Sequence, residues 1–216
     1  MLVNTEINLI KTLGTLFSIG CLCSTLAHAQ KIDCSSPNTS SMKYICAENL
    51  AELREKLSNH YTTAFLVSDA PVHLLEDTQT LWFKRLQQCK SLHCYKQQFE
   101  LRIDQLNFYT SLNQSLTSHY LKFENGKIAS HPVHLQVHQL TKDRIKIEGI
   151  AYRNPNNKLE TQSIPFLAYT TPEQKSEITD NEHDCKYQFD FNKAILSVKT
   201  DQKGCERFVG VYRIYD

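Results

Sequence analysis

The sequence predicts an α+β protein, with an N-terminal disulfide-stapled three-helix domain followed by a small antiparallel β-domain, a sandwich or a barrel. Three observations predict it. Apolar residues recur at helical spacing up to about Ser118, and from about Lys122 they fall at alternate positions. Four cysteines (Cys34, Cys46, Cys89, Cys94) lie in the first half and two (Cys185, Cys205) near the end. Clusters of Asn, Pro and Asp separate the periodic segments.

The remaining two cysteines, Cys21 and Cys23, sit in an apolar stretch that ends Ala27-His28-Ala29. An Ala-x-Ala triplet behind such a run is a secretory cleavage signal, so residues 1–29 are expected to be a signal peptide. Cutting there leaves six cysteines, an even set suited to three disulfides in an oxidising compartment. The expected location is periplasmic or secreted. The alternative is a lipid anchor through Cys21, because Ser18-Ile19-Gly20-Cys21 has the small residue that lipid attachment needs. The stretch is too short and too polar for a membrane span.

The expected boundaries are 30–118 for the helical domain and 119–216 for the β-domain. Leu50, Leu53, Leu57, Tyr61, Ala64 and Phe65 form one stripe on a helix over 46–66, with Ser40 or Ser41 as its cap. Pro71 breaks the chain, and a second helix is expected after Asp77, carrying Leu81, Trp82, Leu86 and Cys89. A third runs from near Ser91 to about Ser118, with Tyr95, Phe99, Ile103, Leu106, Tyr109 and Leu112 in register. Four cysteines allow three pairings; two short loops closed at helix ends, Cys34–Cys46 and Cys89–Cys94, are the simplest.

Beyond residue 120 the pattern is of strands with one buried face. Val133, Leu135 and Val137 alternate with His134, Gln136 and His138, and Ile145, Ile147 and Gly149 with Lys146, Glu148 and Ile150. Cys185, Tyr187, Phe189 and Phe191 mark another strand, and Phe208, Gly210, Tyr212 and Ile214 a last one. Residues 154–158 and Asn192-Lys193-Ala194 read as turns. A Cys185–Cys205 bridge would staple the sheet.

The ordered set Cys34, Cys46-Ala47-x-x-Leu50, Leu53, Tyr61, Gln79, Trp82, Cys89 and Cys94-x4-Phe99-x-x-Arg102-Ile103-x-x-Leu106 resembles the N-terminal domain of the LprI-like lysozyme-inhibitor family over residues 32–110. Three positions depart from that pattern. Arg54 stands where the family has Asp, Leu86 (beside Arg85) where it has Arg, and Phe99 where it has Tyr. The tail, over about residues 145–216, is similar to a small β-domain often joined behind it in exported bacterial proteins. The resemblance implies a binding protein that inhibits lysozyme or a related peptidoglycan hydrolase. Rival classes are a non-inhibitory cell-envelope module and a small-ligand carrier.

Composition is that of a globular protein. Apolar residues make up 41% of the chain, enough for a core. A net charge of +1 without a basic block argues against nucleic acid as a partner. Hydrolase and transferase signatures are missing, so no catalytic residues and no cofactor are expected. His131, His134 and His138 invite a metal reading. On a strand, however, His131 points away from the other two, and His134 and His138 lie ~13 Å apart at ~3.3 Å per residue. They are expected to form a polar strand face. The candidate binding segment is Pro172–Cys185, where Glu173, Glu177, Asp180, Glu182 and Asp184 face only Lys175. An acidic loop of this kind suits the cationic cleft that the family's targets have.

Overall fold

The computed structural model describes residues 32–111, 116–157 and 161–215. The expected signal peptide, the Cys21 lipidation site and the leucine at 112 lie outside the described residues. Helices come first and strands follow. The helices are α1 (Ser40–Ile45), α2 (Ala51–Val67), α3 (Val72–Leu86) and α4 (Leu92–Ser111), with a short 3-10 turn, Glu48–Leu50, leading into α2.

Helix ends follow local chemistry. Thr39 caps α1, its Oγ1 accepting from the Met42 amide at 3.1 Å. Ser40 and Ser41, expected to cap the helix over 46–66, lie inside α1 instead, and α2 starts at Ala51 without a side-chain cap. Arg54 donates to the carbonyl oxygens of Ile45 and Ala47 at 2.7 and 2.8 Å, satisfying acceptors that the end of α1 leaves over. α2 ends at Val67, ahead of Pro71, and Pro71 instead caps the start of α3, which begins at Val72 and not after Asp77. Proline suits a helix start because its missing N–H has no partner to lose there. α4 is described over Leu92–Ser111, and Thr117 already belongs to a strand, so the third helix does not run on to Ser118.

The three disulfides are Cys34–Cys46, Cys89–Cys94 and Cys185–Cys205. The first ties the N-terminal segment to the end of α1, and the second bridges the α3–α4 turn. The helical core contains Leu57, Tyr61, Leu74, Trp82, Phe99 and Leu106. Trp82 is buried edge-on against Phe99, and its Nε1 donates to the Gln98 carbonyl at 2.7 Å.

The strands are β1 (Thr117–Glu124), β2 (Lys127–Ile128), β3 (Val133–Thr141), β4 (Arg144–Tyr152), β5 (Ser163–Thr170), β6 (Glu177–Thr179), β7 (Lys186–Asn192), β8 (Ile195–Lys199) and β9 (Gly210–Tyr215). They form one antiparallel sheet in the order β5-β4-β3-β1-β9-β8-β7-β6, with β2 folded back on β1. β1 bridges β3 and β9, so each remaining neighbour is also the next strand in sequence. The sheet curls until its outer strands meet. There the Leu167 amide donates to Asp180 Oδ1 at 3.1 Å and the Asn181 amide to the Leu167 carbonyl at 2.7 Å. The result is a nearly closed, up-and-down β-barrel.

Phe166, Tyr187, Phe189, Phe208 and Tyr212 pack inside the barrel, with Phe208 edge-on to Phe166 at 5.1 Å between centroids. Phe208 sits in a 3-10 turn, Glu206–Phe208, and not in the last strand, which begins at Gly210. Gly149 is required by packing, because a Cβ there would lie 2.5 Å from Leu135 Cδ2 and 3.2 Å from Phe166 Cβ.

The helices lie on the outer face of β1 and β3. Leu121 joins the helical core, whereas its neighbour Tyr120 points into the barrel. β3 is buried on both faces: Val133 and Leu135 face the barrel interior, and the rings of His134 and His138 lie against Tyr109 and Phe108 of α4. The expected polar strand face is therefore a buried layer between helix and barrel.

Candidate functional site

The acidic segment maps to the β5–β7 edge of the barrel. Residues 172–176 form a turn, Glu177 opens β6, and a second turn at 181–183 leads through Cys185 into β7. Glu173, Glu177, Glu182 and Asp184 are exposed on this rim. Lys175, the basic residue of the run, places its Nζ 5.4 Å from the centroid of the Phe191 ring. Asp184 adopts a positive φ of 54°, so the backbone turns sharply before Cys185.

Asp180 is a correction to the expected set. It is 0% exposed and faces inward. Its Oδ1 accepts from the amides of Leu167 and Glu182, both at 3.1 Å, and its Oδ2 lies 2.8 Å from His183 Nδ1. Its carboxylate closes the barrel and is not part of the exposed rim. The Asp180-Asn181-Glu182 stretch is an Asx-turn sequence, a signal that could have marked this residue as structural.

A second polar cluster, which sequence reasoning passed over, fills the layer between helices and barrel. Arg102 of α4 is its hub. Its Nε donates to Gln79 Oε1 at 2.9 Å, its Nη1 to Thr78 Oγ1 at 3.1 Å and Gln105 Oε1 at 2.6 Å, and its Nη2 to the Leu75 carbonyl at 3.2 Å. Beside it, His119 Nδ1 and His134 Nε2 lie 3.2 Å apart, under the Tyr109 ring. Burial, helped by the nearby His138, depresses the His119 pKa to about 3. Burial, with His119, Arg102 and His138 adding, holds His134 well below the usual histidine value. Both rings are therefore neutral at physiological pH. Burial pushes the Tyr109 hydroxyl up to about 12, against the opposing effect of Arg102.

Further along the same face, His138 Nδ1 lies 2.8 Å from Thr117 Oγ1, and its Nε2 approaches Glu148 Oε2 at 3.1 Å. Lys146 also pairs with Glu148. Burial raises the Glu148 carboxyl, but His138 and Lys146 outweigh it and bring the pKa below the usual range. His131 is exposed and apart from this cluster. Among the described residues no three His, Cys, Asp or Glu side chains converge as a metal site. No helix among them is long and apolar enough to cross a membrane.

The residues that carry the LprI-like resemblance are mostly helical core: Leu50, Tyr61, Gln79, Trp82, Phe99, Arg102 and Leu106 are all buried. At the departures, Arg54 serves as a carbonyl cap, and Arg85 lies in the layer against the barrel with its Cζ 4.7 Å from the Tyr152 ring centroid. No protein family, no curated protein and no solved structure matches this chain. The resemblance rests on the quoted residues alone.

Proposed function

We propose that this chain is an exported, non-enzymatic binding protein that inhibits lysozyme or a related peptidoglycan hydrolase by docking on it. The observation that carries the proposal is the rim of Glu173, Glu177, Glu182 and Asp184, four exposed carboxylates on one edge of a stapled barrel. Lysozyme-type enzymes present a cationic cleft, and complementary charge speeds encounter more than it deepens the final affinity. Three disulfides fit a periplasmic or secreted setting. The resemblance of the helical half supplies the target class.

In this reading the chain divides near residue 118 into a helical half and a barrel that share one buried layer, and the barrel presents the docking edge. The carrier alternative draws little support from a barrel interior packed with Phe166, Tyr187, Phe189, Phe208 and Tyr212. Residues 30–216 should be captured by immobilised c-type lysozyme and should slow the clearing of a cell-wall suspension. Retention by the column without slower lysis would favour an envelope module that blocks no enzyme.

A further inference from the structure

The layer between the helices and the barrel holds two buried guanidinium groups that, among the described residues, meet no carboxylate. Arg102 is 1% exposed and Arg85 is 5% exposed. The two differ in how they are satisfied. Arg102 is surrounded by four oxygen acceptors. Arg85 donates from Nη1 to the Arg153 carbonyl at 2.7 Å and lies over the Tyr152 ring, but its Nε and Nη2 are buried and make no hydrogen bond. His134 Nδ1 is likewise buried and unbonded.

These groups meet at one cavity. Its walls include Arg85, Arg102, His134, Tyr152, Gln98 and Trp82, and its volume is about 20 Å³. That volume takes one water-sized occupant, since a single water needs roughly 10–15 Å³ measured in this way. Charge decides which occupant. A buried cation without a counter-charge is costly, and a water molecule satisfies hydrogen bonds without balancing the charge. A monatomic anion does both. It can accept from Arg85 Nε and Nη2 and from the Nδ1–H tautomer of His134, whose Nε2 then accepts from His119 Nδ1.

We propose that this cavity is a binding site for a small monatomic anion of the halide class, held by Arg85 and His134 and offsetting one of the two positive charges that Arg85 and Arg102 bring into the layer. The anion would lie where α3, α4, β3 and β4 meet, and so would couple the helices to the barrel. Burial lowers the Arg85 pKa to about 10, which still leaves it charged at neutral pH.

The test is thermal unfolding in sodium chloride against sodium gluconate at equal ionic strength. Gluconate is too large for the cavity. Chloride should give the wild type a saturable rise in Tm of roughly 3–6 °C by about 0.1 M. Arg85→Met removes both the charge and its unbonded donors, so it should fold without chloride and show no chloride dependence. Arg85→Lys keeps the charge and should retain a weaker response. Superimposed chloride and gluconate curves for the wild type would overturn the proposal, as would an undiminished chloride response in Arg85→Met. Crystals grown in sodium bromide provide a second readout independent of stability. An anomalous peak in contact with the Arg85 guanidinium supports the site; a water in that place, with no anomalous signal, refutes it.

Discussion

The helical half and the barrel solve the problem of a core in opposite ways. The barrel is filled with rings, and its polar contributions, such as the Tyr187 and Tyr212 hydroxyls, reach nearby carbonyls at 2.9 and 2.6 Å. The helices instead enclose a guanidinium, Arg102, and arrange Thr78, Gln79 and Gln105 around it. Apolar packing tolerates several shapes, whereas a hydrogen-bonded hub tolerates one. The difference suggests that the hub specifies how α3 meets α4, while the rings supply bulk stability to a sheet that must close on itself.

Breaking each core should show this contrast first. Arg102→Met keeps the length of the side chain but takes the donor from the four oxygens that accept from it, at a cost of about 3–5 kcal/mol. Phe208→Ala should cost a similar amount, about 3–5 kcal/mol, through the cavity it opens. The two should differ in character. The Phe208 variant should keep a single sharp urea transition, whereas the Arg102 variant should broaden it, followed through Trp82 fluorescence. A stable, cooperative Arg102→Met protein would show that the hub is dispensable. Next in size is the barrel closure: Asp180→Asn removes the charge that faces His183 and should cost about 1–3 kcal/mol.

The histidine layer gives a pH signature that the barrel interior lacks. In the unfolded chain His119 and His134 take up protons near pH 6.5. In the fold His119 does so only at about pH 3, and His134 also lies far below its usual value. Between those limits the unfolded state binds more protons, so stability falls as pH falls. The slope is on the order of 1 kcal/mol per pH unit for each histidine. Glu148, lowered by His138 and Lys146, adds to the loss below about pH 4.5 in the same direction. Urea midpoints measured from pH 7 to pH 4 should show this slope, and His119→Gln should reduce it by about one proton. An unchanged slope would mean that the ring is not buried neutral.

Much of this fold was legible in the sequence, and the gaps have physical causes. Cysteine spacing and helix ends pointed to the three bridges found. Alternation found β3, β4 and β7, because one face of each meets the barrel core. β5 escaped because Pro165 interrupts it, and a proline is tolerated there at the outer strand of the sheet. β1 escaped because His119 and Leu121 on its outer face serve the helices, so no simple period survives. His134 and His138 looked like a wet face because their cover, α4, comes from a distant part of the chain. The acidic rim was visible as composition, but the inward turn of Asp180 depends on β5 lying beside it.

The smallest expected effect on stability carries the most weight for function. Replacing Glu173, Glu177, Glu182 and Asp184 with their amides should shift stability by less than about 0.5 kcal/mol per site, because all four are exposed. The decisive measurement is the association rate of residues 30–216 with a c-type lysozyme at low and physiological salt, wild type against this fourfold variant. The account predicts that the wild type binds and slows wall lysis, that its association weakens as salt rises, and that the variant associates about tenfold more slowly, about 1.4 kcal/mol, with its fold intact. No binding by the wild type, or equal rates for the two proteins, would contradict it.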